Sequence, residues 1–599
     1  MEMTRETLRE RTFRAVMDAI NLLDRHGIVL PEPVPVLLRK PEGFLDIPSD
    51  PSNGDFATNF PLKAAKHNGR SPRELAELFV EVLGQVSAFK DGLFSRVEIA
   101  GPGFVNFHLS SQALARHADE IQEAGNAFGY SDLHQGEEVM LEFFQPNIAK
   151  PLHVGHLRSA MVGHACFLLL RSQGYSTISD THYGDWGVQF GILLNAYLRL
   201  SEEEREAIFS DAEPIDRLNE LYVAENKRIE EEPELRDEGK ALFAKLEAGD
   251  EELRTHWQRF VDVSLQAYPP VLDWLGVPEF TVQLGESFYE SRMPADLERA
   301  AKAPGAVKEG DALYFDLEDV GLGRCYLRKT DGSTTYHARD ISTALYREEN
   351  PEWDLKRNLY FVGAEQSHHF RQLFEVLRRM EVAIADVSEH VVLGLMKLPE
   401  GKFSTRKGNI IRATELFKET ERRVLEVINE KNPDLEGKEE TAQRVAVSVL
   451  KWWDLSHDHT TSFVFEWDKA LSFEGNTGPY MQYTIARLGS ILNKAASEER
   501  GTVLAEYPFE EGAAELVLLR KLVGFEDVVR AAAERQEPHH VCAYLFELAQ
   551  AANAYYTEVP VLKEEDGSVR SARLSVVAAV HQVLSNGLTL LGIPVVEEM

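Results

Sequence analysis

The sequence predicts a multidomain α/β protein. Its parts are a Rossmann-like parallel-sheet catalytic domain with helical insertions, an N-terminal α+β domain and a C-terminal all-α helical bundle. Three observations predict it. A strand–loop–helix–strand unit begins at Glu138, the pattern of a parallel sheet. Ahead of it, alternating apolar segments with glycine turns mix with amphipathic helix. Beyond about residue 413 strand signals vanish, and helical periodicity runs on through stretches such as AELVLLRKLVGFEDVVRAAAE. At 599 residues the chain is too long for one ordinary core, and its 44% hydrophobic residues suffice for several.

In chain order, the opening residues read as an amphipathic helix ending at Gly27, followed by two β-like segments. Ser71–Pro72 starts a further helix, with proline in its first turn. Val97–Leu109 reads as strand, Gly-Pro-Gly turn, strand, and a polar helix bridges to about 135. VMLEFF is then a short strand, QPNIAKP a loop, and a helix runs from about His153 to Gly174, its expected C-cap. YSTISD is the next strand. A charged, mostly helical insertion occupies about 196–310, after which NLYFV and VVLGL resume the sheet. The predicted boundaries are 1–135, 136–412 and 413–599.

Cys166, Cys325 and Cys542 are far apart and odd in number, which excludes a disulfide framework and a clustered zinc site. No stretch approaches the roughly 18 consecutive apolar residues of a membrane helix, and no apolar signal region opens the chain, so a soluble, cytoplasmic protein without structural metal is expected. The net charge of −34 argues against a nucleic-acid partner. Binding follows the local field rather than the sum, however. Acidic runs at Ser201–Glu206 and Glu230–Glu238 read as solvated helix faces, whereas basic clusters lie at Arg378–Arg379 and Lys402–Lys407.

The chemistry concentrates at Glu142–Arg158, where H-V-G-H opens a helix leaving a parallel strand. Ligands of open α/β sheets bind beyond the C-terminal strand ends. A helix N-terminus there offers free N–H groups and partial positive charge to an anion. Gly155 allows close approach, and His153 and His156 can donate to oxygens that gain charge. Taken alone, the two histidines could equally cap the helix, or bind a metal for which no third ligand is near. Downstream, K-F-S-T-R-K-G-N at Lys402–Asn409 follows the strand VVLGL; alone it is a basic turn, but on the same sheet it can neutralise a pyrophosphate leaving group.

H-V-G-H resembles the HIGH motif, and K-F-S-T-R-K-G-N the KMSKS loop, of the first class of aminoacyl-tRNA synthetases. The fuller strings resemble the arginyl-tRNA synthetase family: P-N-I-A-K-P-L-H-V-G-H-L-R-S at 146–159, H-Y-G-D-W-G-V-Q-F-G at 182–191, F-S-T-R-K-G-N at 403–409 and E-G-N-T-G-P-Y-M-Q-Y at 474–483. G-D-F-A-T-N at 54–59 and G-P-G-F-V-N-F at 101–107 resemble that family's N-terminal domain, so the likeness spans nearly the whole chain. It implies an arginine–tRNA ligase with ATP as substrate with Mg2+, L-arginine and arginine-accepting tRNA as partners, no membrane, and a monomer.

The same resemblance assigns roles. Lys150, His153, His156 and Lys407 would be catalytic, with Gly155, Gly363, Lys402 and Ser404 at ATP. Thr405 stands where KMSKS has its second lysine, and Lys150 is placed to substitute. Glu142, Asn147, His153, Tyr336, Asp340 and Gln366 would hold arginine. A guanidinium is planar, always charged and best held by carboxylates in fork geometry. Glu142 is an acid in an apolar strand, and Tyr336 and Asp340 are four apart, on one helix face. Asp340 alone could as well be a surface or capping acid, and Gln145 is left unassigned.

His368–His369 could line the nucleotide site or simply start a helix. His457, Asp458 and His459 fall short of a zinc set, and Trp452–Trp453 read as core. For RNA, whose loop bases stack on aromatic side chains, Tyr480, Tyr483 and Met599 are candidates, with Tyr556 weaker. Tyrosines at helical spacing are equally compatible with a core. The alternatives are a synthetase for another amino acid, a nucleotidyltransferase making a small cofactor, and a synthetase-like RNA binder without catalysis.

Overall fold

The computed structural model describes residues 6–28, 44–397, 412–495 and 502–599. The first helix, Leu8–Asp24, starts because Thr7 and Glu10 form a reciprocal cap: Thr7 Oγ1 accepts from Glu10 N at 3.1 Å and Glu10 Oε2 from Thr7 N at 2.8 Å. Ser71 and Glu74 repeat the device at Pro72–Leu83. Strands β1 (Phe56–Thr58), β2 (Phe94–Ala100) and β3 (Phe104–Leu109) form an antiparallel sheet in the order β1-β3-β2, and helix Ser111–Ala124 follows. Residues 29–43, where the first of the two expected β-like segments would fall, lie outside the described residues.

The central sheet is parallel throughout. Strands β4 (Glu138–Glu142), β5 (Ser176–Thr181) and β6 (Val282–Gln283) form one side. After β7 (Ala306–Glu309), β8 (Ala312–Asp316) and β9 (Arg324–Arg328), a separate antiparallel sheet, come β10 (Leu355–Gly363) and β11 (Ser388–Leu393), giving the order β11-β10-β4-β5-β6. Met140, Leu141, Leu359 and Phe361 are buried, as strands covered on both faces require.

Helix Val154–Ser172 crosses from β4 towards β5 and is followed by Gly174 at φ +93°, the left-handed exit that glycine accepts most readily. It seats close to the strand end at Gly163, where a Cβ would stand 2.4 Å from the Phe143 ring.

Span 196–310 holds the expected helices, among them Pro214–Glu231, Glu234–Glu247 and Glu251–Ala267. It also contributes β6 to the sheet edge, which two residues are too few to announce as alternation. Its turn Glu286–Tyr289 is pinned to the chain after β5: Asp185 Oδ1 accepts from Ser287 N at 2.8 Å and Oδ2 from Ser287 Oγ at 2.6 Å. Among the described residues the last part is helical, from Ala413–Lys431 to Gly567–Leu590, apart from β13 (Phe463–Val464), which pairs with β12 (Met396–Lys397). Trp452 and Trp453 are core there, and Phe128 stacks on Phe525 at 5.7 Å where the N-terminal part meets the C-terminal helices. Among the described residues no helix is long and apolar enough to cross a membrane.

Candidate active site

A cleft of about 600 Å3 opens beyond the C-terminal ends of β4 and β10. It is reached by the loop 143–150, whose ends are held in strained backbone: Phe144 at φ +60° and Ala149 at φ +59°. Hydrogen bonds hold the strain in place. Phe144 N donates to Ser159 Oγ at 3.0 Å, Thr181 Oγ1 to Phe144 O at 2.6 Å, and Ala149 N to Ser264 Oγ at 2.9 Å. The loop therefore stands as a rigid rim, with Asn147 bridged to Gly184.

The two histidines do cap the helix. Gly155 N donates to His153 Nδ1 at 3.1 Å and His153 N to His156 Nδ1 at 3.2 Å, and the rings stack at 3.8 Å. With both Nδ1 atoms accepting, each neutral ring must carry its proton on Nε2. Burial, reinforced by Lys150, lowers His153; burial first, then His153 and Lys150, brings His156 down to about 3. Lowered in this way, both rings favour the neutral form, and the cap leaves each Nε2–H available as a donor. His153, Gly155 and His156 all line the cleft.

Lys150 does not line it. Its ammonium lies 5.6 Å from the ring of Tyr222 on helix Pro214–Glu231, and burial lowers its pKa. His153 also bridges to Arg412, which pairs with Asp216 at 2.6 Å and Glu213 at 2.9 Å. Lys402, Ser404 and Lys407 lie outside the described residues.

Glu142, Asn147, Tyr336, Asp340, Gly363 and Gln366 line the same cleft as the histidines, and so does Gln145. Two of the carboxylates already hold cations of this chain. Glu142 Oε2 pairs with Arg347, whose Nη2 also reaches Asp180 Oδ2 at 2.6 Å. In the sheet register Glu142 stands beside Asp180 and Tyr360, and the buried guanidinium lies 5.1 Å over the Tyr360 ring. Burial pushes the Asp180 carboxyl up despite Arg347. Asp340 pairs with His369 Nε2. Burial would raise Asp340, but the His369 hydrogen bond and charge outweigh it and hold it below the usual range.

Sequence reasoning missed Glu286, Arg347 and Asp180. Glu286 enters the cleft beside Tyr336 and Asp340 with Oε2 buried and without a hydrogen-bond partner; burial pushes its carboxyl up to about 7, against the pull of Arg339 at 3.6 Å. Arg347 carried a usable signal, lying seven residues after Asp340 and hence on the same helix face. Asp180 lies near the end of a mostly polar strand, STISDT, and so carried no such signal.

Of the RNA candidates, Tyr480 is half-buried: its hydroxyl accepts from Asn553 at 2.9 Å and its ring packs on Phe546. Tyr483 is exposed and lines a groove of about 450 Å3 with Arg487 and Met599. Arg487 in turn lies 4.0 Å over the ring of Tyr556. His457 and His459 bond the carbonyls of Trp453 and Val392, and the three cysteines are buried and free.

Three family models match the chain. They are described as tRNA synthetases class I (R), catalytic domain, at residues 122–467; DALR anticodon binding domain, at 481–599; and Arginyl tRNA synthetase N terminal domain, at 23–109. An arginine–tRNA ligase of Clostridium perfringens is 37% identical over 570 residues, covering 95% of this chain and 98% of its own. One of Clostridium botulinum strain Alaska E43 is 36% identical over 560 residues, covering 93% and 96%. The fold is similar to Thermus thermophilus arginyl-tRNA synthetase, with TM-score 0.73, 24% identity and 99% and 100% of the two chains covered. It is also similar to the Plasmodium falciparum enzyme, with TM-score 0.77, 19% identity and both chains covered in full.

Proposed function

The chain belongs to the class I arginyl-tRNA synthetase family, and on that premise we propose that it is an arginine–tRNA ligase. The carboxylate of L-arginine attacks the α-phosphate of Mg-ATP, giving arginyl-adenylate and pyrophosphate. A terminal ribose hydroxyl of tRNA then attacks the acyl carbon and releases AMP. No protein nucleophile is needed; positioning and charge stabilisation carry the chemistry. The observation that supports this reading best is the single cleft in which the histidine-capped helix start meets Tyr336, Asp340 and Glu286.

In this reading the Nε2–H groups of His153 and His156 donate to phosphate oxygens, and Gly155 and Gly363 let the nucleotide approach the backbone. Lys150 leaves Tyr222 to meet phosphate, with Lys402, Ser404 and Lys407 completing the ATP contacts. Asp340, Tyr336 and Glu286 face the guanidinium, two carboxylates answering its fork. Glu142, Asn147 and Gln366 hold the other end of the amino acid, with His153 between the two substrates. Residues 413–599, through Tyr483 and Met599 above all, read the anticodon; Tyr480 supports them from within. Residues 1–135 grip the outer corner of the tRNA. A cytoplasmic monomer serving arginine isoacceptors completes the proposal.

The test offers ATP, tRNA and each amino acid in turn and measures charging. Arginine alone should be esterified; another amino acid charging in its place would sink the assignment.

A further inference from the structure

We propose that His369 is a specificity-determining residue: it is the resident cation on Asp340, and arginine takes that carboxylate as the imidazole gives up a proton. The inference rests on Asp340 being the guanidinium's partner. His369 is the third residue of helix Ser367–Arg379, and its Nε2 reaches across the cleft to Asp340 Oδ2 on helix Tyr336–Glu349. Both residues line the cleft with Tyr336 and Glu286.

The groups around the pair come from several elements, with Cys325 on β9 beside Asp340 and Glu365 in the turn before the His369 helix among them. Helix Tyr336–Glu349 supplies His337, whose ring lies 4.0 Å from that of His369. The helix of His369 supplies His368; β11 supplies His390, stacked at 4.5 Å on Phe370 and bonded to Val362 O at 3.0 Å. His182, after β5, and Glu286 also interact with Asp340 through their charges. Burial brings His337 down to about 4 and lowers His390, so neither competes for the charge. At His369 burial opposes the charge too, but the Asp340 hydrogen bond and field prevail and raise it.

A guanidinium keeps its charge at any accessible pH, whereas an imidazolium does not. When both cations meet one carboxylate, the imidazolium yields. Its Nδ1 proton passes to water, and the neutral ring keeps its Nε2–H. A neutral side chain of similar shape cannot force this exchange and leaves the carboxylate with its resident partner. Discrimination thus comes from the occupant as well as from the acid. Below the His369 pKa, arginine affinity should fall by up to about tenfold per pH unit, the limit for one linked proton.

Calorimetric titration of L-arginine into the full chain, near pH 6 in two buffers of different ionisation enthalpy, counts the protons. Burial pushes Glu286 up to about 7, so it too can release a proton when a guanidinium arrives, and Glu286→Gln is measured as well. The expected result is proton release in the wild type and in Glu286→Gln. In His369→Asn, or His369→Gln should the first not fold, release should drop by close to one proton and the affinity should lose its His369-linked pH dependence. A histidine that merely orients Asp340 would weaken binding at every pH with the proton count unchanged; that result, or a wild type releasing no proton, overturns the proposal. No heat with arginine while another amino acid binds would overturn the arginine reading and this inference with it.

Discussion

Replacing Arg347 with methionine should destabilise the central sheet severely, and should do so more at neutral than at acid pH. The guanidinium is fully buried and serves two carboxylates, Glu142 and Asp180, as well as Asn358 Oδ1 at 3.1 Å. Removing one partner of a buried pair costs about 3–5 kcal/mol, because the charge left behind has neither water nor counter-ion. At roughly 2 °C per kcal/mol for a large unit, the melting transition should fall by about 6–10 °C.

The orphaned Asp180 would take up a proton in the folded state. Its folded pKa, already raised by burial, would rise further above the unfolded value of about 3.9. A group raised in this way binds more protons folded than unfolded, so stability falls as pH rises between those two values. The penalty should therefore shrink on acidification, and Asp180→Asn added to Arg347→Met should restore part of the loss. Scanning calorimetry of the two variants at two pH values measures this. A loss below about 1 kcal/mol, a loss independent of pH, or no recovery in the double variant would refute the reasoning.

Two further perturbations separate the substrates. Glu286→Gln keeps the shape of the cleft wall but removes one carboxylate from the guanidinium; the arginine KM should rise about ten- to a hundredfold, the worth of a charged hydrogen bond, with the ATP KM unchanged. A shift in both constants would place Glu286 elsewhere. Lys150→Ala should slow adenylate formation by about ten- to a hundredfold in single-turnover measurements made with tRNA present, while arginine affinity stays level. An unaltered rate would show that the lysine remains on Tyr222 throughout.

What could be read in advance was local. A glycine after an apolar helix, a serine followed by proline and a histidine pair after a strand each carry their geometry with them. Helix starts at Ser71 and His153 and the turn between β2 and β3 follow directly from such patterns. The assignment of His153, Asn147, Tyr336, Asp340 and Gln366 came from the family resemblance, and the structure brings them to one cleft. The hidden part depended on pairing across the sheet. That Glu142 lies beside Asp180, beneath a guanidinium from a helix two hundred residues on, is set by register. Glu286 was hidden for a similar reason, because it follows a strand too short to notice. His369 was legible as a helix start, but its partner was not.

The edge strand β6 and the Glu286 turn behind it bear on how this protein could be rebuilt. Both belong to the span 196–310, which on sequence reads as a charged helical insertion. A minimal version trimmed at those limits would lose a wall of the cleft and expose the flank of β5. Conversely, a transplanted span would bring a new pocket wall with it. Cleft wall and sheet edge are thus inherited on one segment, and shortening the chain cannot separate them.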